Sequence, residues 1–542
     1  MSVRRRTVLG AAAALSFAAC SRREPASYTG GWVGANAERG HRVRDTKSGA
    51  WPAPALQRRV AVLVVGAGVS GLAAARALTQ RGIADVHVLD LEDAPGGNSR
   101  GHRIAGMDCP LGAHYLPVPG EQAVEVIELL EAVGLRRTEA GQPVYDERHL
   151  CHSPQERLCI GGQWHDGLLP PVEALPVDQR ASTQAQYRQF AAAVERASAG
   201  GAFSMPTARS TWRAELDALD ATPFATWLDG QGLHAPALRW YLDYCCRDDY
   251  GAGAPQVSAW AGLHYFASRH GFHPPGDGGA ERDGVLTWPE GNAWLSRRLA
   301  EPLHERLHTG MVAWRVTERR GDVAVDLWNV RESRTERWTA PQVVLAVPLF
   351  IAARLLESPP AALTQAAAAM RHAPWLVGNL HLADALDDRP GAPPSWDNVV
   401  YDAGAPLPTL GYVDAMHQST RSLPGPTVLT TYWALGGNTP QQLMQQRARL
   451  LNEPWSAWSA AVVQSLTPVH PDLPAKLKQV DLMRYGHAMS IPVPGLRSGA
   501  ALRALASPQR RVQFAHTDLS GYSVFEEAMY QGVRAAAQVV GR

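Results

Sequence analysis

Residues 60–78 read VAVLVVGAGVSGLAAARAL: an apolar β-branched run, a glycine-rich turn and an alanine-rich stretch. The glycines of the turn have the spacing Gly66-x-Gly68-x-x-Gly71. This order predicts a buried strand, a tight turn and a helix, as in the βαβ units that bind dinucleotides. Gly66 would permit the turn, Gly68 would let the backbone approach a pyrophosphate, and Gly71 would let helix and strand lie close together.

The residues that flank this turn complete the predicted nucleotide site. Val69 and Ser70 begin the predicted helix, whose free N–H groups and positive dipole end would face the phosphates. A second apolar run, residues 86–89, ends at Asp90. A carboxylate at this position accepts hydrogen bonds from ribose hydroxyls and repels a 2′-phosphate. The segment therefore predicts a dinucleotide that carries free ribose hydroxyls.

Two further stretches indicate which dinucleotide is bound. Residues 91–100 read LEDAPGGNSR and residues 111–115 read LGAHY, and with the turn they resemble the flavin-containing amine oxidase and phytoene-desaturase superfamily. The resemblance implies FAD as the cofactor and two groups of contacts with it: Gly97, Asn98 and Arg100 near the pyrophosphate, and Gly112, Ala113 and His114 beneath the flavin. Arg100 departs from the family pattern, because the family's arginine follows the two glycines directly.

The carboxyl-terminal stretch carries a second part of the resemblance. Residues 511–518 read RVQFAHTD and are similar to the family's FAGTE-type segment, with Asp518 in place of the glutamate. Ser523 and Glu526 have the spacing of a capping box, which predicts a helix that opens at Ser523 and runs to the end. The resemblance implies that Asp518 and Val524 contact FAD, and that the helix dipole stabilises negative charge on the flavin.

A third stretch lies between the other two. Residues 288–295 resemble the family's PxGG-helix, and residues 309–316 resemble a strand in which the backbone of Val312 contacts the adenine. The implied fold class is α/β, with a Rossmann-like FAD-binding domain built from discontinuous segments and a mixed α+β substrate domain, as in amine oxidases. The predicted FAD-binding domain comprises residues 59–116, 285–350 and 481–542, and the predicted substrate domain comprises residues 117–284 and 351–480.

The first residues predict export. Residues 1–20 join three arginines at positions 4–6 to a short apolar stretch that ends at Cys20. This stretch is far shorter than the ~20 residues that a spanning helix needs, so it reads as a signal. The arginines resemble a twin-arginine signal, which implies the Tat export machinery and a location in the periplasm or on the outer face of a bacterial membrane. The end of the stretch also resembles a lipobox, which leaves a lipid anchor at Cys20 open, and residues 21–58 read as a linker.

Composition narrows the function classes. The 542 residues hold 52 basic and 51 acidic side chains, a formal net charge of +1, so no net field recruits nucleic acid. The chain is 45% hydrophobic, which supports two or three domains with real cores. Among its six cysteines, Cys151 and Cys159 are close enough in sequence to leave a disulfide open. The spacing of cysteines and histidines forms no zinc signature, so we predict no metal site.

The resemblance implies that FAD removes a hydride from a small organic substrate, with an amine as the first choice. Two aromatic side chains flank the substrate in amine oxidases, and the candidates here are Tyr485 and either Tyr522 or Val524. His114 is expected beside the flavin ring. The family also has a lysine near the flavin, where the alignment puts Asn379 instead. The three lysines of this chain lie elsewhere, so the electron acceptor stays open between O₂ and an envelope carrier.

Other kinds of protein share these motifs. A desaturase or protoporphyrinogen-oxidase-like dehydrogenase would need no lysine and would have an enlarged, apolar substrate tunnel. A non-catalytic flavin-binding accessory protein of the envelope would have a cavity blocked by packed side chains. An NAD-dependent enzyme would leave the carboxyl-terminal motif without a role. The shape and the lining of the cavity therefore distinguish the alternatives.

Overall fold

The computed structural model describes residues 28–46, 50–269, 271–274, 284–401, 409–421 and 423–541. The predicted export signal, residues 1–20 with the candidate anchor Cys20, lies outside these residues. Within the described ranges, no helix is both long enough and apolar enough to cross a membrane.

Strands and helices alternate along the chain. The strands are β1 (Thr29–Trp32), β2 (Leu56–Arg59), β3 (Val62–Val65), β4 (Val86–Leu89), β5 (Gly101–Ile104), β6 (Met107–Pro110), β7 (Tyr115–Pro117), β8 (Arg136–Glu139), β9 (Gln142–Tyr145), β10 (Glu156–Ile160), β11 (Gln163–Asp166), β12 (Val285–Thr287), β13 (Leu307–His308), β14 (Met311–Glu318), β15 (Val323–Asn329), β16 (Arg334–Ala340), β17 (Gln342–Leu345), β18 (Arg371–Leu382), β19 (Asp397–Val400), β20 (Thr409–Asp414), β21 (Thr427–Ala434), β22 (Leu477–Ile491) and β23 (Val512–Phe514). The helices are α1 (Ala37–Asp45), α2 (Val69–Gln80), α3 (Val124–Ala132), α4 (Val177–Ser198), α5 (Glu215–Ala221), α6 (Phe224–Gly230), α7 (Pro236–Tyr250), α8 (Ala259–Ala267), α9 (Ala293–Ala300), α10 (Leu349–Leu355), α11 (Ala361–Ala369), α12 (Pro440–Asn452), α13 (Trp455–Leu466), α14 (Leu473–Lys476), α15 (Ala500–Ala506) and α16 (Phe525–Val540).

A parallel five-stranded sheet carries the glycine-rich turn. Its strand order is β13-β4-β3-β17-β23, and every neighbouring pair is parallel. All four residues of β3 are buried, as expected for a strand that is covered on both faces. The register pairs Val65 with both Leu89 and Leu345, so the turns after these strands lie at one edge of the sheet. Ligands bind at this edge in parallel sheets of this type.

Two helices from distant parts of the chain meet on this sheet. The helix of the βαβ unit, α2, packs against the carboxyl-terminal helix α16. Small residues permit the close contact: a Cβ atom on Gly532 would lie 2.3 Å from the carbonyl oxygen of Ser70, and Ala73 and Ala74 are fully buried. The alanine-rich sequence of α2 is therefore explained by its contact with α16 as well as with the sheet.

A larger sheet forms the second body. Its strand order is β1-β22-β18-β21-β20-β19-β10-β11, and the pairs are antiparallel except β1 with β22 and β10 with β19. Helices α4 to α8 bring a buried aromatic core to it, which includes Tyr187, Phe190, Phe224, Trp260 and Phe266. The predicted fold class is confirmed: a Rossmann-like sheet assembled from discontinuous segments stands beside a mixed α and β body.

Two predicted boundaries are wrong. The predicted linker 21–58 contains β1, which pairs with β22, and most of β2, which pairs with β16 in a four-stranded sheet. The described part of this segment is therefore built into two sheets and is not a linker. The predicted start of a FAD-binding segment at residue 481 falls inside β22, which belongs to the eight-stranded sheet along its whole length. Strand pairing between distant segments decides both cases, and the local composition does not reveal it.

The cysteines are reduced in the described part of the chain. Cys151 and Cys159 are both free thiols, so the disulfide that the sequence left open is not formed. Among the described residues, no three side chains of the metal-binding types are grouped so that they could hold a metal ion.

Candidate active site

The glycine-rich turn is tight because backbone atoms occupy the space around it. Gly66 has φ +105°, and a Cβ atom there would lie 2.3 Å from the carbonyl oxygen of Ala346. A Cβ atom on Gly71 would lie 1.9 Å from the carbonyl oxygen of Gly66. Gly68 is different, because a Cβ atom there would meet no protein atom closer than 3.9 Å. The side of Gly68 that lacks a side chain therefore faces open space.

Helix α2 begins beside this space without a cap. Its N-cap residue is Gly68, so no side chain accepts hydrogen bonds from the first-turn N–H groups. Val69 and Ser70 both line the adjoining cavity. Free N–H groups at a helix N-terminus bind anions, and the helix dipole adds to the attraction. The local geometry therefore suits a phosphate group.

Asp90 and a second glycine turn fix this region. One carboxylate oxygen of Asp90 accepts a hydrogen bond from the N–H of Ala67 at 2.6 Å, and the other accepts one from the N–H of Glu92 at 2.8 Å. The turn at Gly96 and Gly97 packs on the first one, since a Cβ atom on Gly97 would lie 3.1 Å from the Cα atom of Gly68. The two turns thereby form one rigid wall.

A cavity of about 380 Å³ runs along this wall and reaches the eight-stranded sheet. Its size falls in the range of small-molecule and cofactor sites, about 300–1,000 Å³. Many of the predicted site residues line it: Gly66, Gly68, Val69, Ser70, Asp90, Gly97, Asn98, Gly112, Ala113, His114, Tyr485 and Val524. The structure therefore brings these residues together around one space, although they come from four separate parts of the sequence.

Other predicted site residues do not line the cavity: Gly71, Arg100, Val312, Asn379, Asp518 and Tyr522. Gly71 allows the close approach of α2 to the turn. Arg100 is buried, and its Nε atom donates to the carbonyl oxygen of Gly97 at 3.0 Å. Val312 is buried within β14. These three residues support the walls from behind.

The prediction for Asn379 is wrong, because the residue does not face the cavity. Its Nδ2 atom donates to the carbonyl oxygen of Pro110 at 3.1 Å, and its Oδ1 atom accepts from the hydroxyl of Thr430 at 2.7 Å. The asparagine therefore ties three chain segments together inside the protein. The residues of β18 that do line the cavity are Trp375 and Val377.

Tyr522 is also misplaced by the sequence alignment. It is fully buried and lies behind the cavity wall, where its hydroxyl is 3.2 Å from Nδ1 of His264 and 3.3 Å from the sulfur of Met205. His264 uses its Nε2 atom to donate to the carbonyl oxygen of Ser204, so its Nδ1 atom is free to accept from Tyr522. Val524, the alternative, lines the cavity, as does Tyr485.

The carboxyl-terminal helix begins two residues later than the capping-box spacing predicts. Helix α16 starts at Phe525, and Val524 is its N-cap without a side-chain hydrogen bond. The hydroxyl of Ser523 instead accepts from the N–H of Ser490 at 3.3 Å and lies 3.1 Å from the hydroxyl of Thr517. Because no side chain caps it, α16 presents free N–H groups at the cavity, as α2 does.

Asp518 anchors the approach to α16 from below. It is fully buried and accepts hydrogen bonds from the N–H of Leu349, from Nε2 of His372 and from the hydroxyl of Ser490. Burial alone would raise the pKa of Asp518, but His516 and His372 hold it well below its ordinary value. The carboxylate is therefore a structural anion that positions cavity-lining His516.

Two other histidines in the cavity are neutral. Burial lowers the pKa of His114 and of His487 to about 3 in each case, with the charge of Arg447 also opposing protonation of His487. The ring of His114 stacks on Tyr432, with 4.3 Å between the ring centroids. Tyr485 is held in place by the hydrogen bond that its hydroxyl donates to the carbonyl oxygen of Leu111 at 2.7 Å. The cavity thus has an aromatic wall of fixed geometry.

The sequence analysis missed a cluster of charged residues in the same cavity. Asp248, Asp249, Arg269 and Glu526 all line it. Arg269 lies 3.2 Å from Asp249, and the hydroxyl of Tyr115 donates to Asp248 at 3.0 Å. Burial and the neighbouring charge of Asp249 raise the pKa of Asp248 to about 7. The signal in the sequence was the pair of aspartates that ends the aromatic-rich stretch of α7.

The lysine that amine oxidases place near the flavin has no counterpart in the described part of the cavity. Lys476 contacts Asp387 and Asp472 at 2.6 and 2.9 Å, and neither carboxylate lines the cavity. Lys478 is exposed on β22. Arg269 is therefore the positive side chain that the described lining provides.

Comparison with known proteins identifies the family. A family model described as flavin containing amine oxidoreductase matches residues 69–540. Polyamine oxidase 7 of Oryza sativa subsp. japonica is 30% identical over 114 residues, which are 19% of this chain and 24% of that protein. Polyamine oxidase 1 of Zea mays is 42% identical over 55 residues, which are 10% of this chain and 11% of that protein. The matched stretches span a quarter or less of the length of these relatives.

Solved structures extend the likeness over the whole fold. Putrescine oxidase bound to putrescine has a TM-score of 0.64 at 17% identity, and covers 90% of this chain and 100% of its own. Cyclohexylamine oxidase from Brevibacterium oxydans IH-35A has a TM-score of 0.60 at 20% identity, and covers 89% of this chain and 99% of its own. At these identities the likeness concerns the fold. Because the family match extends over most of the sequence, the chain belongs to the flavin-containing amine oxidoreductase family.

Proposed function

We propose that this protein is an exported FAD-dependent oxidoreductase that removes a hydride from an amine. The observation that carries the proposal is the open cavity that joins two uncapped helix N-termini to an aromatic wall and buried carboxylates. The similar proteins named above are called polyamine, putrescine and cyclohexylamine oxidases, and these names all refer to amines. An amine substrate is therefore the simplest choice.

FAD is the cofactor of this family, and the residues present fit it. The free N–H groups at Val69 and Ser70 would bind the pyrophosphate, with Gly68 leaving room for it. Asp90 faces the same cavity and has carboxylate lone pairs beyond those that accept from the backbone. When bound, FAD supplies the hydride acceptor. The N-terminus of α16 favours negative charge at its end of the cavity.

The remaining lining suits an amine. An amine gives up a hydride from carbon only when its nitrogen is unprotonated, so the site must accept a cation and then favour its neutral form. The neutral imidazoles of His114 and His487 and the ring of Tyr432 favour the neutral amine, while Asp248 attracts the cation. After hydride transfer the substrate is an iminium ion, which water hydrolyses to a carbonyl compound and a free amine.

The lining also bears on the alternatives. Asp248, Asp249 and Glu526 are buried carboxyl groups in the wall, and such groups oppose an apolar substrate of the desaturase kind. The cavity is open rather than filled by packed side chains, which opposes a non-catalytic accessory role.

Anaerobic spectroscopy tests the proposal. The purified holoenzyme is mixed without O₂ with primary and secondary amines, and with hydrophobic polycycles as matched non-amines. We expect the amines to bleach the oxidised flavin bands and the polycycles to leave them unchanged. Bleaching by the polycycles but by none of the amines would overturn the proposed function. Readmission of O₂ would then distinguish the acceptors, because an O₂-dependent enzyme regains its colour within one turnover.

Export is the remaining part of the proposal, and it rests on residues 1–20 of the sequence. Replacement of Arg5 and Arg6 by lysine keeps the charge but removes the paired guanidinium groups. We expect this double variant to accumulate in the cytoplasm with its FAD bound. Unchanged recovery from the periplasm or the outer membrane face would contradict the twin-arginine assignment.

A further inference from the structure

A second chamber of about 170 Å³ adjoins the cavity described above. The two spaces share wall residues: His114, Tyr115, Asp248, Arg269 and Tyr432. Shared walls mean that one extended molecule can occupy both spaces at once. The second chamber is bounded mainly by strands β10 and β19 and by helices α7 and α8, so it belongs to the substrate side of the protein.

Carboxyl groups from three elements line this chamber. Glu156 of β10 and Asp397 of β19 are paired in register on neighbouring parallel strands, and Asp248 comes from α7. Burial raises the pKa of Asp397, and the negative charges of Glu156 and Asp248 raise it further. The three groups are therefore close enough to repel one another. A bound cation would relieve this repulsion.

The described lining offers little positive charge of its own. Arg269 is the basic side chain of this chamber, and it is already paired with Asp249. His114 is neutral for the reason given above. Arg157 follows Glu156 in sequence, but it donates to the side chain of Asn398 and to the carbonyl oxygen of Ala392 and does not line the chamber. The balance of charge among the described wall residues is therefore negative.

Aromatic rings complete the wall. Tyr241, Tyr244, Tyr265, Trp396 and Tyr432 all line the chamber. Rings of this kind attract cations through their electron-rich faces, by about 0.5–2 kcal/mol each. The described carboxyl groups do not converge on a point where a metal ion could bind. Carboxylates spread among aromatic rings suit a larger, organic cation such as an alkylammonium group.

We propose that this chamber binds a second cationic group of the substrate, so that the enzyme prefers diamines and polyamines to monoamines. The proposal rests on the proposed function, because the first amine group must react in the adjoining cavity. The second ammonium group would lie among Glu156, Asp248 and Asp397 and would hold the reacting carbon in register. The chamber thus acts as a determinant of substrate length and charge.

The test compares putrescine and spermidine with n-butylamine, which lacks the second amino group. For the wild-type holoenzyme we expect kcat/KM for both polyamines to exceed that for n-butylamine by about 100-fold, as for a pair of buried charges worth two factors of ten. In Asp397→Asn we expect the ratio of putrescine to n-butylamine to fall by about 10-fold or more. The control is Glu121→Gln, an exposed carboxylate away from both chambers, which should keep the wild-type ratio.

The outcomes separate the two proposals. If no amine reduces the flavin, the proposed function fails and the preference has no meaning. If n-butylamine and putrescine reduce it equally well in the wild type, the function stands and the second cation site is refuted. Asp248→Asn provides an independent variant if Asp397→Asn binds no FAD, and an unchanged ratio in a folded, yellow variant of either kind would also refute the site.

Discussion

The two sides of the cavity are built by different means. On the cofactor side, backbone atoms form the wall, through the glycine turns at Gly66–Gly71 and Gly96–Gly97 and the free N-termini of α2 and α16. On the substrate side, side chains from β10, β18, β19, β21 and α7 form the wall, and buried charges are prominent among them. A backbone wall constrains the sequence to glycine at fixed spacing. A side-chain wall does not, because many sequences build a chamber of the same shape.

This difference predicts the largest effect for Gly68→Val. A side chain on Gly68 meets no protein atom within 3.9 Å, so the variant should fold, but its methyl groups would fill the space where the pyrophosphate binds. We expect folded protein with almost no bound FAD. The ratio of flavin absorbance to protein absorbance, together with a thermal unfolding curve, measures both properties.

Two comparison variants make this test specific. Gly40→Ala, in α1, adds a methyl group where no atom lies within 4 Å, and should keep full FAD occupancy. Gly71→Ala places its methyl group against the carbonyl oxygen of Gly66 and should destabilise the fold itself. Full FAD occupancy in Gly68→Val would show that the phosphates bind elsewhere.

On the substrate side, the largest expected effect follows from Arg269→Met. Arg269 and Asp249 have side-chain exposures of only 12% and 7%, so removal of the arginine leaves buried carboxylates without a partner. Breaking such a pair costs about 3–5 kcal/mol of unfolding free energy. Chemical denaturation measures the loss. The exposed pair Arg44 and Asp45 is the control, and Arg44→Met should leave the unfolding free energy unchanged.

The same difference explains what the sequence could predict. The parallel sheet, the turn and most cofactor-side residues were predictable, because Gly66, Gly68 and Asp90 stand at spacings that only this geometry requires. Asn379 and Tyr522 were misplaced, because a register within a strand and a shift of two residues at a helix start decide which side chains face the cavity. Asp397 and Glu156 meet only through pairing between distant strands. No local pattern announces such a meeting.

Titration provides a smaller effect that is confined to the substrate side. The pKa of Asp248 is about 7, above the ordinary value, so the folded state holds its proton more tightly than the unfolded state does. Its contribution to stability is present below the ordinary carboxyl pKa and is lost as the pH rises through 7, at up to about 1.4 kcal/mol per pH unit. Asp249, Tyr115 and Arg269 face this carboxyl group and set its value.

Chemical denaturation of the wild type and of Asp248→Asn between pH 5 and pH 8 tests this reasoning. We expect the unfolding free energy of the wild type to fall more steeply with rising pH than that of the variant. Equal slopes would mean that Asp248 does not titrate in this range. In the same range the preference for putrescine should grow with pH, because the ionised carboxylate attracts the second ammonium group.

The smallest effect is expected for Tyr522→Phe, and it distinguishes a wall residue from a residue behind the wall. The tyrosine hydroxyl contacts His264 and Met205 inside the core and does not reach the cavity. Loss of this hydroxyl should lower the unfolding free energy by about 1 kcal/mol, the net value of one hydrogen bond. The rate of anaerobic flavin reduction by an amine should not change. Tyr485→Phe, whose ring does line the cavity, removes the hydrogen bond to Leu111 and should change that rate. If instead Tyr522→Phe alone slows reduction, the wall extends further toward His264 than the described cavity does.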